Sequence, residues 1–326
     1  YLLAPNAPAL RNPDGSLNWN RIETNPITRD SISTFTNNPL AALEATSRIQ
    51  TGNLISSLNL SYLIAKGLSI KASFGYTDMI SNNIQANPST RVAPEQRPPY
   101  VRNAQFVDSR AKSWILEPQL MYNFDINAGQ ASFLLGTTFQ KNSSDLKSIY
   151  AQGFNSDEVI ENFMAASTFS PSSSIHSFYK YNALFGRFNY NWREKYILNL
   201  TARRDGSSRY GRENRFENFG AVGLAWLFSN EEFIKENVQF LSFGKFKGSY
   251  GTTGSDQVPN YSYLNQYSNM TPAVPYQSYT GLVPSGLPNP YLQWELTKKL
   301  QGGIDLGFVT DRILLSVNYY RNRSSN

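Results

Sequence analysis

The chain has no cysteine, a single histidine and no apolar run of the roughly 18 residues that a membrane helix needs. Without thiols, disulfides and cysteine-held zinc or iron–sulfur centres are excluded. With His176 alone, a Ser-His-Asp triad or a histidine metal site is hard to assemble, and its Ser-rich surroundings read as ordinary surface. Charge is also sparse: Asp, Glu, Lys and Arg make up 17% of the 326 residues, against about 25% in soluble domains. The formal net charge is +6, but the basic residues are scattered and carry no recognition motif, so no nucleic-acid partner is expected. A glycine-rich phosphate loop is missing, and nothing asks for a cofactor. Asp14 in "NPDGSLNWN" lacks the distal Glu of a calcium loop, and Asp14-Gly15 reads as a turn. The chain opens at Tyr1 without a charged and apolar leader, which reads as a processed chain or a piece of a longer one.

What is abundant is aromatic. Phe, Trp and Tyr reach 14%, and they fall into segments of strict two-residue alternation. In "LSIKASFGYT", Leu68, Ile70, Ala72, Phe74 and Tyr76 share one face and Ser69, Lys71, Ser73 and Thr77 the other. The segment 54–64 does the same, and Lys66-Gly67 between them reads as a hairpin turn. The pattern recurs at 114–125 and 131–141, 181–192 and 196–205, 216–228 and 241–250, and 294–309 and 313–321. Asn127-Ala128-Gly129, Arg193-Glu194-Lys195 and Thr310-Asp311 read as turns, and "SNEEFIKENVQ" as a helical turn. About ten antiparallel strands are expected.

The links between strands alternate between short and long. The long polar ones are expected at 80–110, 142–177, 206–215 and 252–292. In an antiparallel meander, successive links lie at opposite ends, so this alternation sorts short turns to one rim and long loops to the other. Outer-membrane barrels have that asymmetry, with short periplasmic turns and long extracellular loops. Strands of ten residues or more suit a tilted membrane crossing.

On this reading Phe133, Leu135, Phe139, Ile304, Leu306 and Phe308 meet lipid. Lys71, Glu117, Gln119, Arg187, Asn189, Arg203, Lys245, Lys247, Glu295, Lys299 and Asp305 face a polar lumen. In a soluble sheet the same residues would be the solvated face. Tyr62, Tyr76, Tyr122, Tyr190, Trp192, Tyr196, Trp226 and Tyr319 sit near strand ends, as interfacial girdle residues do. Arg204, Asp205, Arg209, Arg212 and Arg215 fall on a charged extracellular tip, beyond the apolar band, where charge costs little. Residues 156–166, "SDEVIENFMAA", combine a cap serine with acidic first-turn residues and predict a short amphipathic helix inside a long loop.

Three stretches carry a family resemblance. "YNALFGRFNYNWREKYILNLTARRDGSSRYGRENRFENFGAVGLAWLFSNEEFIK" resembles the strand–turn–strand–loop–strand region of SusC/RagA-type TonB-dependent outer-membrane transporters. "FGKFKGSYGTTGSDQVPNY" and "LPNPYLQWELTKKLQGGIDLGFVTDRILLSVNYYRNRSSN" resemble later strands of that family, in the same order; "NPDGSLNW" and "NPLAAL" match more weakly. Gly244, Phe246 and Ser255 depart from the usual pattern without disturbing the fold.

The resemblance implies residues 1–326 are the middle part of one 22-stranded barrel domain, with the plug and TonB box before Tyr1 and the last strands after Asn326. It further implies active uptake of a bulky oligosaccharide or peptide across the Gram-negative outer membrane, with no enzyme activity. Its partners would be a SusD-like surface lipoprotein as lid, TonB–ExbB–ExbD acting through the plug, and outer-membrane lipid. The charged tip would meet lipopolysaccharide phosphates or the lid. A soluble all-β carbohydrate-binding surface module is the alternative. A β-sandwich glycosidase would need a close carboxylate pair, for which Glu231-Glu232 and Glu213/Glu217 are neighbours in sequence only. Ten strands of an open sheet leave two unpaired edges, so the piece alone is expected to aggregate.

Overall fold

The computed structural model describes residues 9–19, 23–24, 31–32, 38–269, 277 and 281–325. Ten antiparallel strands form one sheet: β1 (Thr46–Ala65), β2 (Leu68–Asn87), β3 (Asn103–Ile126), β4 (Gly129–Gln152), β5 (Thr168–Trp192), β6 (Tyr196–Ser207), β7 (Phe216–Trp226), β8 (Leu241–Ser255), β9 (Glu295–Phe308) and β10 (Ile313–Ser325). Each strand lies beside its sequence neighbour, so the sheet is a plain meander. Two-stranded ribbons add Glu23–Thr24 with Ser31–Ile32 and Tyr267–Asn269 with Leu282–Pro284.

The tight turns fall where the sequence puts them. Gly67 closes β1–β2 at φ 77°, and a Cβ there would stand 2.1 Å from the Asn123 carbonyl oxygen, so only glycine fits. Asn127, Arg193, Glu194, Thr310 and Asp311 also take positive φ in the turns β3–β4, β5–β6 and β9–β10. Between β7 and β8 the chain makes a 3₁₀ turn at Phe228–Asn230 and the helix α1 (Glu232–Asn237).

Strands β2 to β5 outrun their expected length. β2 continues to Asn87, β3 starts at Asn103, β4 reaches Gln152 and β5 starts at Thr168, so two expected loops shrink to residues 88–102 and 153–167. Ladder pairing satisfies the backbone in these extensions whatever the side chains are. Because their side chains are polar or mixed on both faces, alternation does not reveal them. The amphipathic helix expected at 156–166 is not formed; turns there lead into a 3₁₀ turn at Phe163–Ala165 capped by Asn162. Asp157, which that helix would have used at its first turn, is bound elsewhere.

The chain resolves into two compact units. One comprises 1–54, 77–112 and 144–177; the other comprises 55–76, 113–143 and 178–326. The first contains two small cores, Ala86, Ala104, Ala151, Phe154 and Ile160 in one, Leu17, Trp19 and Ala93 in the other. The second is built on the short-turn parts of β1–β5 and on β6–β10, with Tyr210, Phe219 and Trp294 as its buried cluster.

In the second unit the register assigns faces. Arg187 pairs with Thr201, Arg203 with Phe219, Ser249 with Gly223, and Lys245 with Asp305, all on one side. The alternate partners Phe188–Leu200, Leu200–Val222, Tyr250–Val222, Tyr250–Leu300 and Ile304–Val317 form the other side. That apolar side is bare: Leu224 is 61% exposed, Leu184 57% and Val317 54%. A soluble sheet would cover such a surface. The edge strands β1 and β10 are exposed at every position.

Candidate functional site

Along the polar face of the second unit, Lys71, Gln119, Arg187 and Arg203 line one cleft with Thr201, Asp205 and Thr252, about 800 Å³ in volume. Gly136 packs against two of its lining residues; a Cβ there would meet the Phe185 ring at 2.6 Å and the Gln119 side chain at 3.1 Å. Arg203 donates to Asp205 and to the Tyr181 hydroxyl, each at 2.5 Å, and its guanidinium stacks over Phe185. Glu117 accepts from Thr138 at 2.9 Å, and Asn189 donates to Asn199 at 2.5 Å. Farther along the sheet, Lys247 bonds Asp305 at 2.8 Å, and Ser316 donates to the same carboxylate. By register Lys245, Lys299 and Glu295 share this side. Lys299 lies beside Tyr320 and Asn322 in a second hollow.

The arginine-rich tip is less uniform than its sequence suggests. Arg204 and Asp205, placed on the charged tip although they end the expected strand 196–205, lie inside β6, whose ladder pairing continues to Gly206–Phe216. They point to opposite faces: Asp205 to Arg203, and Arg204 over the Phe216 ring. Arg209 turns inward, donating to the Asp256 carbonyl at 2.8 Å and to Asn260 at 3.1 Å, and covers Tyr179 at 4.4 Å. The Asp256 carboxylate accepts from Tyr179 at 2.7 Å and from Ser207 at 2.8 Å. Beside it Tyr210 is wholly buried against Trp294 and donates to the Ser255 carbonyl. Burial, reinforced by the Asp256 carboxylate, pushes the Tyr210 phenol up to about 12. Arg212 stays exposed. The connection β6–β7 is thus clamped onto the connection β8–β9 by partners 45 to 51 residues apart.

Two further anchors escaped the sequence. In the first unit Asp157 accepts from the Ser89 amide and hydroxyl and from Arg102 at 2.7 to 2.8 Å, tying segment 153–167 to segment 88–102. Burial alone would raise this carboxyl, but those donors outweigh it and hold it below its usual value. At the short-turn end of the second unit Glu231 accepts from Lys195 at 2.9 Å, Tyr196 at 2.8 Å and the Trp226 indole at 3.2 Å. The Lys195 bond first, then the Tyr196 and Trp226 bonds, lower its carboxyl to about 2. Tyr196 and Trp226 stack in parallel above it, as part of an aromatic row with Trp192, Phe228 and Phe246. None of these bonds has a local sequence signal. Glu231 is engaged by this ring of donors.

Among the described residues, no three His, Cys, Asp or Glu side chains come close enough to hold a metal ion. The profile of the family described as "TonB dependent receptor-like, beta-barrel" matches residues 4–326. The chain belongs to that family. It is an outer-membrane β-barrel chain of a Gram-negative cell, in a family of receptors and transporters rather than enzymes.

Among curated relatives of this TonB-dependent receptor chain, TonB-dependent receptor P3 of Formosa agariphila is 29% identical over 296 residues, covering 90% of the chain and 29% of the relative. TonB-dependent receptor SusC of Bacteroides thetaiotaomicron is 32% identical over 147 residues, covering 44% of the chain and 14% of SusC. Among solved structures, that of the RagAB peptide transporter matches with a TM-score of 0.80 at 23% identity, covering 95% of the chain and 33% of that protein. The chain thus spans about a third of the length of the proteins it matches.

Proposed function

We propose that this chain is the middle part of the barrel of a SusC-like importer, which takes up a bulky nutrient with energy from TonB–ExbB–ExbD. The observation that carries the reading is the two-faced sheet. Its bare apolar side, with Leu184, Leu224, Tyr250 and Val317, suits lipid, and its opposite side, with Lys71, Arg187, Arg203, Lys247 and Asp305, suits a watery lumen. A soluble carbohydrate-binding module would leave that apolar surface unsatisfied. A plug and further strands outside this chain complete the barrel in this reading, and a SusD-like lipoprotein lids it. Outer-membrane lipid surrounds it.

The solute is an oligosaccharide or a peptide. The likeness to the RagAB peptide transporter supports the peptide, and the resemblance to SusC/RagA-type transporters admits either. The polar cleft favours neither: it offers hydroxyl and guanidinium donors beside the Phe185 and Phe219 rings, which suit either backbone. The test is uptake of labelled oligosaccharides and labelled peptides of graded length by cells carrying the full-length gene, its deletion, or a TonB deletion. Loss of uptake of one solute class in both deletions is expected. Unchanged uptake without TonB would overturn the reading.

A further inference from the structure

The cleft of about 800 Å³ on the polar face is lined by three cations, Lys71, Arg187 and Arg203, and by one carboxylate, Asp205. That carboxylate is already engaged: it is buried and accepts from Arg203 at 2.5 Å. Arg203 is in turn held by the Tyr181 hydroxyl and lies over the Phe185 ring, so it is a fixed part of the wall. Lys71 and Arg187 are exposed in the cleft and, among the described residues, make no ion pair, so their charge is open to a solute. The other carboxylates of that face stand outside the cleft: Asp305 is bonded to Lys247, Glu117 accepts from Thr138, and Glu295 opens β9 at its long-loop end. Three cations against one carboxylate leave a surplus of two positive charges.

Their height in the sheet gives this surplus its reach. Lys71, Arg187 and Arg203 stand about three to seven residues from the short-turn ends of β2, β5 and β6, near the middle of a membrane crossing of about ten residues. The sheet behind them is backed by the bare apolar side of Leu184, Leu200 and Val222. A concave wall of one sign of charge with a low-dielectric backing focuses its field into the cleft and draws in ions of opposite sign. Thr201, Thr252 and Thr253 line the same cleft and add neutral hydrogen-bonding groups.

We propose that this cleft is an anion subsite on the import path: Lys71 and Arg187 receive a carboxylate of the passing solute, and the fixed Arg203 adds its field from the wall. The imported oligosaccharide or peptide is therefore acidic. The proposal rests on the importer reading, in which the polar face is the lumen, and it concerns the charge of the solute and not its backbone.

The experiment uses the full-length protein with its surface partner, purified in detergent and titrated with two matched pairs of probes: oligogalacturonate and its methyl ester, and a Glu-rich peptide and its Gln counterpart. The two pairs separate a sugar acid from a peptide acid as the source of the carboxylate. Calorimetry reads the affinities at low and high salt. Wild type should bind the acidic member of one pair about ten-fold more tightly than the neutral member, a ratio that shrinks as salt is added. Lys71→Gln/Arg187→Gln should bring that ratio close to one, through the loss of two charge-assisted contacts, and Lys71→Arg/Arg187→Lys should keep it. Lys245→Gln/Lys299→Gln, which removes two cations from the same face outside the cleft, should keep it too. An unchanged heat-shifted band on gels shows that each variant is folded. Equal affinities within both pairs, no binding of either acidic probe, or a ratio that survives Lys71→Gln/Arg187→Gln would overturn the proposal. So would an equal fall in Lys245→Gln/Lys299→Gln, since the preference would then belong to the lumen as a whole. None of these outcomes bears on the dependence of uptake on TonB, which tests the importer reading separately.

Discussion

Lys247 on β8 holds both carboxylate oxygens of Asp305 on β9, at 2.8 and 2.9 Å, while the next residues back along those strands, Phe246 and Ile304, pair on the opposite side of the sheet. One step along the chain changes the environment from ion pair to apolar surface. That is the period of the β-strand acting on sequence, and it sets the expectations below.

Because the Lys247–Asp305 pair is partly exposed, with 33% and 21% of the side chains accessible, its coupling is modest. A double-mutant cycle with Lys247→Ala and Asp305→Ala, read by urea unfolding of the full-length barrel in detergent, should give a small favourable coupling that shrinks as salt is added. A coupling near zero would mean that solvent screens the pair fully.

Charge placed on the other face should be penalised more. Leu200→Lys, on the bare apolar side and four residues in from the turn, should destabilise the barrel in a bilayer by about 2–4 kcal/mol, whereas Ser249→Lys on the polar side should be nearly neutral. Equal costs in lipid-vesicle unfolding would refute the assignment of faces.

The clamp between the two connections depends on Trp294, which is 6% exposed and packs on Tyr210 and Phe219. Trp294→Ala should cost about 3–5 kcal/mol. Limited proteolysis should then cut residues 208–215 first, and Arg209→Ala, which removes the cover over Tyr179 and the bonds to the Asp256 carbonyl and Asn260, should reproduce the cut more weakly.

Glu231 makes stability depend on acid. Its carboxyl is held at about 2, below the ordinary glutamate value of 4.5, so its contribution is complete above the unfolded value and fades as pH falls toward 2. The stability gap between wild type and Glu231→Gln should be full at pH 7 and nearly gone at pH 2, by denaturant titration of the full-length protein. A gap that does not vary with pH would show that the bonds from Lys195, Tyr196 and Trp226 do not favour the ionised form.

The latch in the first unit has the same sign. Asp157 is lowered below 3.8, so it stabilises the join of segments 88–102 and 153–167 above that pH and lets go in acid. Asp157→Asn should raise amide exchange in both segments at neutral pH, with little change elsewhere. Faster exchange in only one segment would mean that they are held separately.

The sequence by itself determined the strands that cross the apolar band, their tight turns and the division of residues between two faces. Each of these follows from the two-residue period and from local chemistry, such as Gly67 at positive φ or Lys247 one step from Phe246. The ten-strand count and the family resemblance were legible for that reason. Only the tertiary structure decided how far β2 to β5 extend, since backbone pairing persists where side chains show no apolar pattern. It alone also decided that Arg209 turns inward to Asp256, that Asp157 crosses to Ser89, 68 residues away, and that Lys71, Arg187 and Arg203 meet around one cleft. Those contacts join residues on different strands and connections, and distance along the chain carries no information about them until the sheet sets its register.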